Sequence, residues 1–117
     1  MIKSVKKKAS ATVELNTLIG AGTKLVGNIS VVGTLKVDGE IDGDVTVNGD
    51  LIVSESAHII GNISCDNVLI SGTVMGNILA GGQLSLSGTA RTKGDLRTQS
   101  LVIDDGAEFS GTCETID

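Results

Sequence analysis

Apolar residues along this chain alternate with polar ones in short runs, and the runs return at nearly constant intervals. The clearest runs are pairs of apolar residues two positions apart, namely Leu35 and Val37, Leu51 and Val53, Val68 and Ile70, Leu84 and Leu86, and Leu101 and Ile103. Such alternation is typical of a β-strand with one buried face. Together with Leu18, the first residues of these pairs start six units in steps of 16 or 17 residues, so the pattern predicts one short β unit stacked six times.

Each unit carries two further recurring positions. We assign a second inward-facing position, preceded two residues earlier by a small residue, to Leu25, Ile41, Ile59, Val74, Ala90 and Phe109. A third strand begins two residues after a glycine, at Ile29, Val45, Ile63, Ile78, Leu96 and Cys113. Each unit therefore holds three short strands and three corners, and stacking buries an apolar face that no unit can bury alone.

These units predict an all-β fold, a single right-handed parallel β-helix (solenoid) of about six triangular coils. The expected hand follows from the spacing of the strands. Four residues separate the second inward-facing position from the third strand in five of the six units, which breaks the six-residue rhythm of a left-handed β-helix. We expect residues 14–117 to form this domain and residues 1–13 to form a disordered basic tail.

Charge is distributed unevenly along the chain. Of the nine Lys and Arg residues, Lys3, Lys6, Lys7 and Lys8 lie within the first ten positions, which leaves five against fourteen acidic residues in the remainder. An acidic body argues against a nucleic-acid partner. A chain with one Phe and no Trp or Tyr also lacks a platform on which bases could stack. No phosphate-binding loop occurs, so we expect no nucleotide and no other cofactor.

Two stretches carry a resemblance to a known family. They are Gly33-Thr-Leu-Lys-Val-Asp-Gly-Glu-Ile-Asp-Gly-Asp-Val45 and Gly106-Ala-Glu-Phe-Ser-Gly-Thr-Cys113, set among Gly-Asn/Asp-Ile/Val repeats behind a basic leader. On these residues the chain resembles the bactofilins from Leu18 to Cys113. The resemblance implies a bacterial cytoskeletal scaffold rather than an enzyme. It also implies right-handed β-helices that polymerise end to end, without nucleotide, into non-polar filaments.

The resemblance further implies partners and a location. Bactofilins bind the cell membrane through an N-terminal segment and localise cell-wall enzymes or other morphogenesis proteins. The corresponding residues here are Met1, Ile2, Lys3, Val5, Lys6, Lys7 and Lys8. Ile2 and Val5 can insert while the lysines meet anionic lipid, although a solvated basic tail stays open as the alternative. No apolar run reaches membrane-spanning length and no secretory signal is recognisable, so we expect a peripheral protein at the cytoplasmic face of the membrane.

The ends of the rod are the expected polymerisation sites. A β-helix presents unpaired strand edges at each end, and these pair with another chain unless they are blocked. We recognise no long capping element at either end. Phe109 lies in the last unit and matches a phenylalanine that is important for polymerisation in the family, with a core role as the alternative. At the other end Leu18, Ile19 and Leu25 belong to the first unit and are the candidate contacts.

Two other functions of β-helices are less consistent with the residues. A trimeric acyltransferase of the hexapeptide-repeat class can use a single catalytic histidine, but His58 precedes the inward-facing Ile59, so strand alternation turns it outward. An ice-binding β-helix would show ladders of Thr-x-Thr, and these are missing.

Acidic residues and cysteines have simpler interpretations than a binding site. The acidic run from Asp38 to Asp50 does not match a calcium-binding loop, because Gly49 stands where that loop needs Glu. We expect this run to form an outward acidic face that keeps rods apart, part of which could dock basic partners. Cys65 and Cys113 fall three units apart, too far for a disulfide. We expect both to be small buried core residues.

Overall fold

The computed structural model describes residues 17–116, so the predicted basic tail and Asp117 lie outside the described residues. All regular secondary structure within 17–116 is β, in fourteen strands. The strands are β1 Thr17–Ile19, β2 Lys24–Val26, β3 Ile29–Val37, β4 Glu40–Asp42, β5 Val45–Val53, β6 His58–Ile60, β7 Ile63–Cys65, β8 Asn67–Ile70, β9 Thr73–Met75, β10 Ile78–Leu86, β11 Arg91–Lys93, β12 Leu96–Ile103, β13 Glu108–Ser110 and β14 Cys113–Thr115.

The strands form two parallel sheets around one core. The first sheet has eight strands in the order β1-β3-β5-β7-β10-β12-β14, with β8 pairing to β5 and β10. The second has six strands in the order β13-β11-β9-β6-β4-β2. Neighbouring strands of one sheet are separated by one full turn of the chain, as when Ile29 pairs with Val45 and Val45 with Ile63. The fold is therefore a β-solenoid of six coils, which confirms the predicted all-β parallel architecture.

Strand ends differ from the prediction at one corner. At four of the five transitions between coils, the third strand of one coil continues without interruption into the first strand of the next, in β3, β5, β10 and β12. Only between β7 and β8 does the strand stop, at Asp66. Two of the three sides of each coil consequently belong to one sheet, and the third side forms the other sheet.

The first coil corrects the register predicted for Leu18. Thr17, not Leu18, pairs with Leu35, and Leu18 pairs with the outward-facing Lys36. A shift of one residue turns a side chain to the opposite face of a strand, and Leu18 is 53% exposed. The prediction assigned Leu18 to the inward-facing position because it is apolar, whereas the threonine before it, Thr17, occupies that position.

The fifth coil corrects a second assignment. Thr92, not Ala90, lies between Val74 and Phe109 in the second inward-facing column. Ala90 is fully buried at the small-residue position that the sequence pattern assigns to Gly88. With Thr92 in place, four residues separate this column from the third strand in all six coils. The sequence pattern showed the four-residue spacing in only five units, because the buried Thr92 is polar and cannot be recognised by a pattern of apolar residues.

Two ladders of residues run along the rod at the corner before the third strand. One ladder consists of glycines, one from each coil, namely Gly27, Gly43, Gly61, Gly76, Gly94 and Gly111. In the five coils after the first, a Cβ added to the glycine would lie against the carbonyl of the glycine one coil earlier. The other consists of the next residues, Asn28, Asp44, Asn62, Asn77, Asp95 and Thr112. Along it the backbone N–H of one residue donates to the side-chain oxygen of the residue one coil earlier, at 3.0 to 3.1 Å in the first four steps. These two ladders fix the position of each coil on the preceding coil.

Candidate functional site: the two open ends

The first and last coils each present an axial face that no other described strand covers. The strands β1 and β14 lie at the ends of one sheet, and β2 and β13 lie at the ends of the other. Within residues 17–116 each of these strands pairs on one side only, so its other edge carries backbone donors and acceptors available to a further strand. A second copy of the chain can supply that strand.

At the C-terminal end the inward-facing positions of the last coil are left uncovered. Ile103 pairs with Leu86, yet Leu86 is fully buried while Ile103 is 48% exposed. Phe109 pairs with Thr92 and is partly buried against the core. Cys113, at the start of β14, is exposed. The last coil therefore ends in an apolar surface that points along the rod axis.

The residue beneath Phe109 is unusual for this core. Thr92 is 5% exposed, and its hydroxyl has no hydrogen-bond partner among the described residues. Thr98, the other buried threonine in this part of the rod, instead donates to the carbonyls of Gly82 and Ser100, at 3.1 Å each. An unpaired buried hydroxyl costs free energy, so the layer that supports Phe109 is less stable than an aliphatic layer would be.

At the N-terminal end the predicted contacts divide into two groups. Leu25 pairs with Ile41 and lies at an inward-facing position that is only partly buried. Ile19 is also inward-facing but is already buried. Leu18 points sideways from the rod rather than along its axis. Sequence reasoning did not single out Ile29, which pairs with Val45 and is partly buried at the same end.

The candidate contacts at the two ends lie far apart in one chain. Leu25 and Phe109 occupy the same column, with Ile41, Ile59, Val74 and Thr92 stacked between them. Only contacts between copies can bring end residues together. Ile103 and Ile29 were missed as end residues although their strands were predicted. Counting the coils along the repeat would have shown that the six coils supply each of these two residues with a neighbour on one side only.

The histidine and the two cysteines differ in exposure, and the titratable groups within residues 17–116 show no metal-binding cluster. No group of three or more His, Cys, Asp or Glu side chains there could hold a metal ion. His58 is exposed, as its outward direction in the sequence predicted. Burial, followed by the charges of Asp66 and Asp50, raises the pKa of the Cys65 thiol to about 12, so that thiol stays protonated at neutral pH. Cys65 is buried as predicted, whereas Cys113 is not, because no described coil covers it.

Comparison with known proteins agrees with this architecture. Residues 17–114 match the model of the Bactofilin family, which is described as polymer-forming cytoskeletal. The chain belongs to the bactofilin family. It is 33% identical to bactofilin BacO of Myxococcus xanthus (strain DK1622) over 103 residues, covering 88% of this chain and 82% of BacO. It is 32% identical to bactofilin BacP of the same organism over 111 residues, covering 95% of this chain and 46% of BacP. The chain therefore spans about half the length of BacP.

A solved bactofilin has the same fold. The crystal structure of a Phe-to-Arg variant of the Thermus thermophilus bactofilin matches this chain with a TM-score of 0.71 at 33% identity, over 74% of this chain and 97% of that one. Bactofilins are polymer-forming cytoskeletal proteins, so self-association is a property of the family. Within residues 17–116 no helix is long and apolar enough to cross a bilayer. The predicted membrane contacts, Met1 to Lys8, lie outside the described residues.

Proposed function

We propose that this bactofilin assembles end to end, without nucleotide, into non-polar filaments that act as a cytoskeletal scaffold. The observation that carries the proposal is the pair of axial faces that no described strand covers. Positions that are fully buried in the middle coils, such as Leu86, recur at the end as the half-exposed Ile103. A second copy stacked on this face would bury these side chains and extend both sheets through paired backbone groups.

The apolar part of the junction has a modest size. Full burial of a large aliphatic or aromatic side chain contributes about 1.5–3 kcal/mol. Ile103 and Phe109 start partly buried, so each would contribute on the order of 1 kcal/mol. Association also carries an entropic cost, so the backbone pairing of the open strands must contribute to the junction as well.

A non-polar filament requires each end to meet the same end of another copy. Such a junction has two-fold symmetry, and each residue on the axis-facing surface appears in it twice. Phe109 of one copy would then lie across the junction from the equivalent surface of the next. At the other end Leu25, Ile19 and Leu18 are the proposed contacts, with Leu25 facing along the axis and Leu18 at the rim.

The location and further partners of the filament rest on the family resemblance and on the N-terminal sequence. We propose that the segment from Met1 to Lys8 holds the filament at the cytoplasmic face of the membrane, with each lysine near anionic lipid contributing about 1 kcal/mol. A single segment of this kind binds weakly, but a filament carries many copies and gains avidity. On that surface the filament would position cell-wall enzymes or other morphogenesis proteins.

The test is negative-stain electron microscopy of purified protein in plain buffer, comparing the wild-type chain with Phe109→Arg. We expect wild-type filaments, and short, folded, soluble particles from Phe109→Arg, because the two-fold junction would bring two introduced guanidinium groups into an apolar layer. Val102→Arg is the matched control, since Val102 lies in the same coil, is 41% exposed and points sideways.

Circular dichroism separates loss of assembly from loss of folding in both variants. Val102→Arg should keep both the β signal and the filaments. Filaments that persist unchanged in folded Phe109→Arg would exclude Phe109 as a junction residue. Uniform small particles from the wild-type chain would contradict nucleotide-free assembly altogether.

A further inference from the structure

The outer surface of the six-stranded sheet carries two columns of outward-facing residues, and we call this surface the lateral face. The strands pair in register from β2 to β13, so each column runs straight up the rod. From the first coil to the sixth, one column reads Lys24, Glu40, His58, Thr73, Arg91 and Glu108. The other reads Val26, Asp42, Ile60, Met75, Lys93 and Ser110.

The order of charges on the lateral face is antisymmetric about its middle. Acidic Glu40 and Asp42 occupy the second coil, and basic Arg91 and Lys93 occupy the fifth. The third and fourth coils contribute the exposed apolar side chains Ile60 and Met75. Of the acidic run predicted from the sequence, Glu40 and Asp42 therefore lie on this surface, where the basic pair of the fifth coil mirrors them.

These charges have no partner within the described part of the chain. Among residues 17–116 the ion pairs are Lys36 with Asp38 at 3.9 Å and Arg97 with Glu114 at 3.2 Å, both away from the lateral face. The four charged residues that the second and fifth coils place on the lateral face are exposed and form no side-chain hydrogen bond to any other described residue, namely Glu40, Asp42, Arg91 and Lys93. The lateral face thus holds a set of opposite charges that are free to pair with another molecule.

We propose that the lateral face is a self-complementary interface through which two copies in neighbouring filaments pack side by side with their rod axes antiparallel. The symmetry is a two-fold axis along the strand direction, which places the second coil of one copy on the fifth coil of the other. Asp42 then meets Lys93 of the second copy, and Glu40 meets its Arg91. Ile60 meets Met75 at the centre. Lys24 and Glu108 form the outermost pair.

Other arrangements of the same two faces bring like charges together. A two-fold axis along the rod would keep the two rod axes parallel and place each coil opposite the same coil of the second copy. Glu40 would then face Asp42 of the second copy, and Arg91 would face its Lys93. In the antiparallel arrangement, a slip of one coil places Glu40 on Glu108 in one direction and Lys24 on Arg91 in the other. Because juxtaposed like charges are strongly unfavourable, the lateral face selects both the antiparallel direction and the register.

The size of the lateral face determines where such pairing can occur. Six strands about 4.8 Å apart, each three residues long, give a flat footprint of roughly 300 Å² per copy. Stable isolated interfaces bury about 1,200–2,000 Å² in total, so two free subunits should not form a lasting lateral dimer. Many such contacts in series along two filaments gain avidity. The inference therefore rests on the proposed filament, and it accounts for lateral association of filaments rather than for their assembly.

The experiment compares filaments of the wild-type chain, Asp42→Lys, Lys93→Asp and the double variant by negative-stain electron microscopy at low salt, scoring the fraction of filament length that runs in pairs. Asp42→Lys or Lys93→Asp alone places like charges together twice in each two-fold contact, so we expect that fraction to fall at least about tenfold. The double variant restores opposite charges and should restore pairing. Asp66→Lys makes the same charge change at an exposed corner of the other sheet and should leave pairing unchanged.

Each outcome bears on the inference. Loss of pairing in both single variants, with rescue in the double variant, supports the antiparallel register. Pairing that is unaffected or strengthened by Asp42→Lys overturns it, since a parallel arrangement would gain from that change. Wild-type filaments that stay single at low salt overturn the lateral interface but leave end-to-end assembly intact. Absence of filaments in every variant contradicts the proposed function and, with it, this inference.

Discussion

Replacement of Gly76 by Ala tests whether the glycine ladder sets the spacing of the coils. Gly76 has a φ of +148°, and a Cβ at this position would lie less than 3.0 Å from the carbonyl oxygen of Gly61. Carbon–oxygen contacts between neighbouring strands ordinarily lie at about 3.3–3.6 Å. The coils are about 4.8 Å apart and hydrogen-bonded on both sides, so they cannot separate at one corner without losing ladder bonds.

The expected cost has two parts. Left-handed backbone costs a residue with a Cβ about 1–2 kcal/mol. Forcing an extra carbon into a packed interior typically costs about 1–3 kcal/mol more. The sum of about 2–5 kcal/mol is a large share of the roughly 5–15 kcal/mol that keeps a domain folded. For a domain near this size, each kcal/mol lowers Tm by about 4–8 °C, so Gly76→Ala should lower Tm by about 10 °C or more.

Two further glycines separate the parts. Gly27 occupies the first position of the same ladder, with a φ of +127° and no described atom within 4 Å of an added methyl group, so Gly27→Ala should show the backbone cost alone. Gly81 has neither a left-handed φ nor a close neighbour among the described residues, so Gly81→Ala should change stability by no more than about 0.5 kcal/mol. Thermal melts by circular dichroism measure the stability of all three variants. The melts are compared at equal protein concentration, because assembly itself adds stability. Equal melting of Gly76→Ala and Gly27→Ala would refute the role of the carbonyl contact.

Two other predictions concern the buried threonines Thr92 and Thr98 and the two cysteines. Thr92→Val should raise the stability of the fold by about 1–2 kcal/mol, because it removes a buried hydroxyl without a partner among the described residues. Thr98→Val should lower the stability by about 1 kcal/mol, because the Thr98 hydroxyl donates to the carbonyl of Gly82. Thermal melts measure both variants, and equal effects would show that hydrogen bonding does not distinguish the two sites. Alkylation by iodoacetamide followed by mass spectrometry should modify Cys113 and spare Cys65 in folded subunits, since Cys65 is buried and its pKa is about 12. Labelling of Cys113 should slow on assembly if its face lies in the junction, and an unchanged rate in filaments would argue against that placement.

The fold could be predicted from the sequence because a solenoid repeats one short unit, and the repeat is visible as a regular spacing of apolar residues. Alternating pairs such as Leu51 and Val53 identify strands, and their return every 16 or 17 residues identifies coils. The same reasoning failed in two coils in which a threonine occupies an inward-facing position. Thr17 and Thr92 have the polarity of surface residues, so the pattern placed Leu18 and Ala90 inward in their stead.

The candidate junction was predictable in part. Phe109 and Leu25 were assigned to the last and first coils, and the structure places both at inward-facing positions on the open ends. The exposure of Ile103 and Cys113 was not predicted, because an apolar residue in the repeat looks the same whether or not another coil covers it. The role of these ends in polymerisation stays a prediction for the experiments above.

By itself the sequence determined that this protein is a stack of β coils, because the period of its apolar residues allows no other way to bury them. Only the tertiary structure decided which side chains share a column. Asp42 and Lys93 are distant in sequence, and parallel pairing in register aligns them on one surface. Asp44 and Asn62 likewise meet only because each coil stacks directly on the last. The alignment of columns depends on unequal coil lengths of 15 to 18 residues, and the glycine and Asn/Asp ladders hold those coils in place.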